Sequence, residues 1–298
     1  MSLSYQHTLA GPAICAGVGV HSGQRVRVSI RPAPVGSGIV FVRTDLDRDN
    51  RVPVSVEAVT QTRLCTVIAN EAGVTVATIE HLMAALAALE VDNAVIELDG
   101  PEVPIMDGSA LPFVQLLDRA GRRRQEAERR FIEILEPIEV IDGDKTVRLT
   151  PSDNFELAFE IAFPTKVIGR QRVDLVVTED SFRDELADCR TFGFLHEVQA
   201  LREAGLARGG SLENAVVIDG DRVLNPEGLR RPDEFVRHKA LDAVGDLYVL
   251  GAPILGRFEG VYAGHALNNR LCRALLDQPQ AWRLVSASAL QPVLAQAG

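Results

Sequence analysis

The chain has 298 residues, of which 46% are hydrophobic and 24% are charged, and its net charge is −10. This length exceeds what one hydrophobic core usually organises, so we expect two domains. The negative charge argues against a nucleic acid or an anionic membrane as a partner. No apolar run approaches the length of a membrane span, so we also expect no integral membrane segment.

The four cysteines, Cys15, Cys65, Cys189 and Cys272, are scattered along the chain without CxxC spacing. This pattern indicates neither a zinc–cysteine site nor a disulfide framework. The first residues, MSLSYQHTLAGPA, also lack the basic and apolar composition of a signal peptide. We therefore expect reduced thiols and a cytoplasmic protein.

Short alternating strands come before apolar helices in both halves of the chain. RVRVSIRP, GIVFVRT and NAVIEL are strand candidates in the first half, and TVRLTP, FELAFEIAF and RVDLVV are candidates in the second. Strands grouped before helices are typical of the α+β class, in which helices cover one face of a sheet.

The first helix is predicted at the alanine-rich run LMAALAAL, with Thr75 or Thr78 as its capping residue. Its small side chains predict close packing against another element. Glu80 and His81 lie at its N-terminal end, where backbone N–H groups favour an anion. A glutamate beside a metal-binding histidine is typical of a general base in metallohydrolases. The alternative, an ordinary N-terminal glutamate with a capping histidine, is favoured for this segment alone.

The helix FVQLLDRA is predicted to end at Gly121, before the charge-dense run 122–130 and the strand FIEIL. We interpret residues 124–130 as a solvated interdomain linker. The predicted domains are then residues 1–123, which carry Glu80 and His81, and residues 131–298.

In the second half, His238, Asp242 and Asp246 follow one another at i, i+4 steps of a mostly apolar helix. They therefore point the same way. Because an unpaired buried charge costs several kcal/mol, a metal explains this arrangement economically. The alternative is a solvated polar stripe. Further on, His265 lies between small residues before the helix NRLCRALL, where it is a third imidazole ligand, an acid–base residue or a helix cap.

Several ordered motifs resemble those of the UDP-3-O-acyl-N-acetylglucosamine deacetylases, enzymes of lipid A biosynthesis in Gram-negative bacteria. The matches run from about Gly17 to Asn269 and comprise GVGVHSG, TRLCTV, IEHL, PEVPIMDGSALPFV, RTFGFL, GGSLENAVV, DEFVRHKALDAVGDL and GHALNN. The resemblance implies two similar two-layer α/β sandwich domains with facing helical layers. It also implies a small β-α-β insert in the second domain.

The resemblance further implies a zinc-dependent deacetylase acting on an acylated UDP-amino-sugar. In such an enzyme His81, His238 and Asp242 bind one zinc ion, for which Fe(II) is a substitute, and Glu80 is the general base. His265 stabilises the oxyanion or protonates the leaving amine, and Asp246 holds its imidazolium. Lys239 and Thr191 lie close to the reacting carbonyl.

The acyl chain of such a substrate requires an apolar channel. The resemblance places Phe192, Gly193, Leu195, Gly210 and Ser211 in the insert that forms this channel. It places Leu64 and Cys65 near the substrate, with Cys65 as a small contact rather than a nucleophile. The oligomeric state and the residues that hold the uridine diphosphate are not indicated.

Three other functions use the same residues. A two-histidine, one-carboxylate set also suits Fe(II) oxygenases, although the adjacent glutamate and the cationic His–Asp pair suit hydrolysis better. The second is hydrolysis of a different amide, such as an N-acetylated peptide or a free sugar. The third is a metal-binding or interaction protein without catalytic activity.

Overall fold

A computed structural model of the chain describes residues 5–294, with side chains as far as position 290. Strands and helices are mixed along these residues, and the α+β class is confirmed. The extreme ends of the two predicted domains, 1–4 and 295–298, lie outside the described residues. No helix within residues 5–294 is long and apolar enough to cross a membrane.

The N-terminal half is built mainly of strands. Its elements are β1 (Tyr5–Leu9), β2 (Ala13–Val18), β3 (Arg25–Pro32), β4 (Ile39–Arg43), β5 (Arg51–Pro53), β6 (Val59–Gln61), β7 (Val67–Ala69), β8 (Thr75–Val76), α1 (Glu80–Ala88), β9 (Ala94–Leu98) and α2 (Leu111–Ala120). A five-stranded sheet has the order β2-β3-β9-β4-β5, and β6, β7 and β8 form a separate three-stranded sheet. Within the larger sheet only β4 and β9 run parallel.

The C-terminal half contains a larger sheet and most of the helices. Its elements are β10 (Arg122–Glu128), β11 (Arg130–Ile134), β12 (Ile138–Asp142), β13 (Lys145–Thr150), β14 (Phe155–Ala162), β15 (Arg170–Val176), α3 (Glu179–Glu185), β16 (Phe192–Phe194), α4 (Leu195–Glu203), β17 (Val216–Asp219), β18 (Arg222–Val223), α5 (Glu234–Leu247), a 3₁₀ turn (Tyr248–Leu250), β19 (Ile254–Val261), α6 (His265–Leu276), β20 (Trp282–Ser286) and α7 (Ala287–Leu294). The seven-stranded sheet has the order β12-β13-β19-β11-β20, and β14 joins β15 to β19.

The alternating pattern of the sequence explains how these sheets bury one face. In β3, Val26, Val28 and Ile30 are buried while the intervening residues are more exposed. Helix α2 ends, as predicted, at Gly121, whose φ of 71° suits a residue without a side chain.

The predicted β-α-β insert is present between α3 and α5. Strands β16 and β17 run parallel, with Phe192 opposite Val216, and α4 connects them. A parallel pair needs such a crossover connection, because a tight turn reverses the chain direction.

The segment interpreted as a linker, 124–130, is not a free connection. Residues up to Glu128 belong to β10, which pairs antiparallel with β1, and the strand β11 begins at Arg130. The guanidinium of Arg124 lies 3.8 Å from the centre of the Tyr5 ring. The charged segment forms a strand because β1 pairs with its backbone. This partner lies more than 100 positions earlier in the sequence, so no local pattern indicates it. The domain boundaries themselves remain a prediction.

Helices of the two halves pack against one another. Helix α1 contacts α2 and α5, while α5 lies on β14 and β15 and α6 lies on β12 and β13. Buried apolar residues of both halves, among them Leu82, Phe159 and Leu241, belong to one contiguous core. The contact between α1 and α5 is the part of the fold that assembles the site described next.

Candidate active site

Helices α1 and α5 approach each other unusually closely at Gly245. A Cβ atom on Gly245 would lie 2.0 Å from the Glu80 carbonyl oxygen and 3.0 Å from the Ala84 nitrogen. The alanine-rich α1 and this glycine therefore allow backbone-to-backbone packing, as the small side chains of α1 predict. The contact brings the N-terminal turn of α1 to the C-terminal part of α5.

His81, His238 and Asp242 meet at this contact and are all buried. One ligand atom from each lies within 4.8 Å of the others. Asp242 Oδ1 is 3.4 Å from the Nε2 atoms of both histidines. Among the described residues, this buried oxygen accepts no hydrogen bond. A buried carboxylate oxygen without a donor, facing two imidazole nitrogens, fits a divalent cation.

The orientation and protonation of these groups also suit a metal. The Nδ1–H group of His238 donates to the Cys189 carbonyl at 3.0 Å, which leaves Nε2 facing Asp242. Burial lowers the pKa of His238 to about 4, so its imidazole is neutral. Burial disfavours the charged form of Asp242, but nearby positive charge, including the Lys239 ammonium, outweighs burial and holds its pKa well below the usual range. Neutral imidazole and ionised carboxylate are the forms that bind metals.

His265, the first residue of α6, forms a pair with Asp246 one turn beyond Asp242. Its Nδ1–H group donates to Asp246 Oδ2 at 2.8 Å. Burial alone would lower the pKa of His265, but the Asp246 carboxylate outweighs burial and raises this pKa to about 9. His265 is therefore a cation at neutral pH, held in one orientation.

Glu80 faces this cation from the other helix. Its Oε1 lies 4.0 Å from His265 Nε2, and its Oε2 accepts the Thr66 N–H at 3.1 Å. The side chain is almost completely buried, and burial raises the pKa of Glu80. A carboxyl with a raised pKa beside a cluster that could hold a metal can exchange a proton with a nearby water.

The predicted threonine cap of α1 is wrong. The residue before the helix is Ile79, and neither Thr75 nor Thr78 caps it with a side chain. Thr78 has a φ of 58°, and its hydroxyl donates instead to the buried Glu102 carboxylate at 3.0 Å. A capping side chain accepts an N–H of the first helical turn, but the helix begins after Ile79, one residue later than a Thr78 cap requires, and no such bond forms.

Glu102 also holds the loop at residues 19–22. Its two carboxylate oxygens accept the N–H groups of His21 at 2.9 Å and Ser22 at 2.8 Å. The loop in turn contacts the insert, because the Gly209 N–H donates to the Val20 carbonyl at 3.0 Å.

A cavity of about 350 Å³ adjoins the cluster. Val20 and His21 contribute to its wall, and so do all the residues predicted to contact the substrate, namely Leu64, Cys65, Phe192, Gly193, Leu195, Gly210 and Ser211. The predicted catalytic residues Glu80, Thr191 and His265 also line it, together with the three members of the cluster.

Two predicted catalytic residues lie outside the cavity wall, and Cys65, which lines it, offers no nucleophile. Lys239 and Asp246 are not among the lining residues; the Lys239 ammonium instead donates to Asp242 Oδ2 at 3.2 Å. Burial raises the pKa of the Cys65 thiol to about 12, with Glu80 adding to the effect. This thiol is therefore not ionised at neutral pH, in agreement with a contact role.

Two polar partners of Asp246 were not predicted from the sequence. Asn268 Nδ2 donates to Asp246 Oδ2 at 2.8 Å, and the Thr66 hydroxyl donates to Oδ1 at 2.6 Å. Asn268 stands three residues after His265 on α6, so helical spacing was a usable signal. No local signal pointed to Thr66, which is 180 residues from its partner.

Comparisons with known proteins identify the family of this chain. The family model described as UDP-3-O-acyl N-acetylglycosamine deacetylase matches residues 6–277. A protein of Phenylobacterium zucineum (strain HLK1) is 70% identical over 281 residues, which cover 94% of this chain and 96% of the relative. Proteins of Shewanella sp. (strain W3-18-1) and Shewanella baltica (strain OS155) are 51% identical over 284 residues, covering 95% of this chain and 93% of each relative. All three are named UDP-3-O-acyl-N-acetylglucosamine deacetylase.

Proposed function

Because the chain belongs to the UDP-3-O-acyl N-acetylglycosamine deacetylase family, we propose that it is a zinc-dependent deacetylase of lipid A biosynthesis. It hydrolyses the N-acetyl group of UDP-3-O-acyl-N-acetylglucosamine and releases acetate and UDP-3-O-acyl-glucosamine. The observation that carries this proposal is the meeting of His81 with His238 and Asp242, with Glu80 and His265 beside them.

Zinc is the proposed ion because a set of two histidines and one aspartate matches the three protein ligands of catalytic zinc sites. Fe(II) is an alternative ion for the same ligands. A zinc ion bound there would polarise the amide carbonyl. It would also lower the pKa of a water, so that this water can lose a proton and attack the carbonyl carbon at neutral pH. The protein residues around it then have to move protons and stabilise charge.

Glu80 is the proposed general base. Its carboxylate is next to His81 in the chain and lines the cavity, so it can take the proton from the attacking water. Burial raises the pKa of Glu80. A carboxylate with a raised pKa is a stronger base and can both accept a proton from water and return it.

His265 is the proposed cationic partner on the other side of the reacting carbon. As an imidazolium it stabilises the developing oxyanion or delivers a proton to the departing amine. Asp246 keeps it charged and oriented, while the Thr66 hydroxyl and the Asn268 amide hold Asp246.

Thr191 and Lys239 complete the proposed site. Thr191 lines the cavity, where its hydroxyl can donate to the oxyanion. The Lys239 ammonium pairs with Asp242, and the Lys239 side chain is 21% exposed. When Asp242 binds the metal ion, this ammonium can turn toward the reacting carbonyl.

The cavity supports an acyl-chain channel. Apolar residues of the insert, including Leu195, Val198 and Leu201, line it together with Val217. A largely apolar wall beside a few polar groups is typical of a site for an amphipathic ligand. The four cysteines are free, which agrees with the proposed cytoplasmic location.

The test measures acetate release from the acylated nucleotide sugar and from its unacylated counterpart. We expect the acylated substrate to react far faster and the activity to disappear after chelation and return with zinc. Equal rates on both substrates would contradict the acyl channel. Activity that survives complete metal removal would contradict the metal site, and turnover of 2-oxoglutarate with Fe(II) would favour an oxygenase.

A further inference from the structure

Cys189, Arg190 and Thr191 connect the insert to the metal-binding cluster. The Cys189 carbonyl accepts the His238 Nδ1–H, and Thr191 lines the cavity. Between them, Arg190 points away from the cavity into the protein, and its side chain is only 1% exposed. The question is what this buried guanidinium does so close to the cluster.

Arg190 binds the start of the helix that carries His238. Both its backbone N–H and its Nε–H donate to Glu234 Oε1 at 2.9 Å. Glu234 is the first residue of α5, is fully buried and precedes His238 by one helical turn. The second oxygen of Glu234 accepts the Arg230 N–H at 2.8 Å.

The other nitrogens of Arg190 are also bound. Nη2 donates to the Gly228 carbonyl at 2.8 Å, and Nη1 pairs with Glu227. A planar guanidinium with several fixed donors sets both position and rotation, which a lysine ammonium cannot do. The segment 189–191 is therefore held in one orientation relative to the first turn of α5.

We propose that Arg190 and Glu234 are positioning residues that hold the Cys189 carbonyl against the His238 ring and thereby strengthen metal binding. The inference rests on the proposed metal site. A ligating histidine depends on the partner of its other ring nitrogen for its orientation. Here that partner is a backbone carbonyl, so its position depends on whatever anchors its own peptide segment. The only charged side chain in that segment is Arg190.

An ordinary structural role does not account for the pair equally well. A buried ion pair contributes little net stability, because desolvation of the two charges offsets their attraction. If the pair only stabilised the fold, its loss would affect metal binding no more than the loss of any other comparable buried ion pair. This second expectation provides a matched control.

The experiment compares the affinity for Zn²⁺, measured by competition with a chromogenic chelator, in the full-length wild type and three variants. Arg190→Lys keeps the charge but removes the fork of donors, and Glu234→Gln replaces one acceptor oxygen by a donor. Arg129→Lys is the control, because Arg129 is equally buried and paired with Asp92 but contacts none of the three proposed ligands. Bound Co²⁺ reports ligand geometry through its visible spectrum.

We expect Arg190→Lys and Glu234→Gln to weaken Zn²⁺ binding by up to about 10- to 100-fold, the effect of losing the direct outer partner of a ligand, because both variants displace that partner without removing it. The Co²⁺ spectrum should change in both, and the control should match the wild type. An unchanged affinity in either folded variant would overturn the inference, and so would an equal loss in Arg129→Lys. If one variant does not fold, the other decides. A wild type that binds no metal would instead contradict the proposed function.

Discussion

Gly245 on α5 lies directly against the Glu80 carbonyl on α1, with no room for a side chain between them. A Cβ at this position would come within 2.0 Å of that oxygen. The separation of the two backbones therefore sets the distance between His81 on one helix and His238 and Asp242 on the other. A glycine outside the cavity wall thus controls the geometry of the proposed metal site.

The first prediction concerns Gly245→Ala. In an open helix this change would stabilise by about 1 kcal/mol, but here the overpacking should cost about 1–3 kcal/mol or more. We expect a lower free energy of unfolding by denaturant titration and weaker Zn²⁺ binding. Gly11→Ala is the control, because its nearest neighbour would be 3.9 Å from the new Cβ. Equal behaviour of the two variants would show that the helices can separate freely.

The second prediction concerns the proposed general base. Glu80→Gln keeps the shape of the side chain but cannot take a proton from water. We expect acetate release to fall by about 10²-fold or more, while the zinc content measured by elemental analysis stays the same. Glu97→Gln, on β9 and paired with Arg31 away from the cavity, is the matched control. If Glu80→Gln retains full turnover, the base is a different group.

The third prediction separates a ligand from an acid. His265 lies beside the cluster but is not one of its three members. We therefore expect His265→Ala to fold and to bind zinc like the wild type while its deacetylation rate falls. Circular dichroism, elemental analysis and acetate release measure the three quantities. Loss of zinc from the variant would make His265 a ligand and would require a different acid.

The fourth prediction is a pH dependence in the metal-free protein. Asp246 raises the pKa of His265 from 6.5 to about 9, so its ring signals in NMR spectra should titrate near pH 9. A raised folded-state pKa contributes stability that is fully present below pH 6.5 and is lost as pH rises through about 9. Asp246→Asn should lower this pKa and flatten the dependence. A ring that titrates at its ordinary value in the wild type would contradict the pair.

The fifth prediction concerns the loop at residues 19–22. Glu102→Gln replaces an acceptor of buried hydrogen bonds by a donor, which should lower the free energy of unfolding by about 1–3 kcal/mol. Because Val20 and His21 line the cavity, we expect KM for the acylated substrate to rise more than kcat falls. Zinc content should not change. A variant with lost zinc and unchanged KM would mean that Glu102 acts on α1 through Thr78 instead.

Much of the secondary structure followed from local patterns. The alternation in β3 and the helical spacing of His238, Asp242 and Asp246 depend only on backbone periodicity, which is a property of neighbouring residues. The predicted end of α2 at Gly121 has the same local origin. The α1 cap was wrong because the helix begins one residue later than a Thr78 cap requires, with Ile79 before its first residue.

Strand β10 was missed for a related reason. Its charged residues resemble a solvated linker, but β1, at the start of the described chain, supplies the strand that it pairs with. A strand at the edge of a sheet tolerates such a composition, because pairing requires only its backbone groups.

The sequence by itself determined which residue types were available for the chemistry. It also determined that Glu80 and His81 share a helix end and that His238, Asp242 and Asp246 share a helix face. Only the tertiary structure decided that these two groups meet, that Asp246 turns to His265 rather than to the cluster, and that Thr66 and Asn268 support it. Helical periodicity acts over a few residues, whereas these contacts join segments that only the packing of α1 against α5 and α6 brings together.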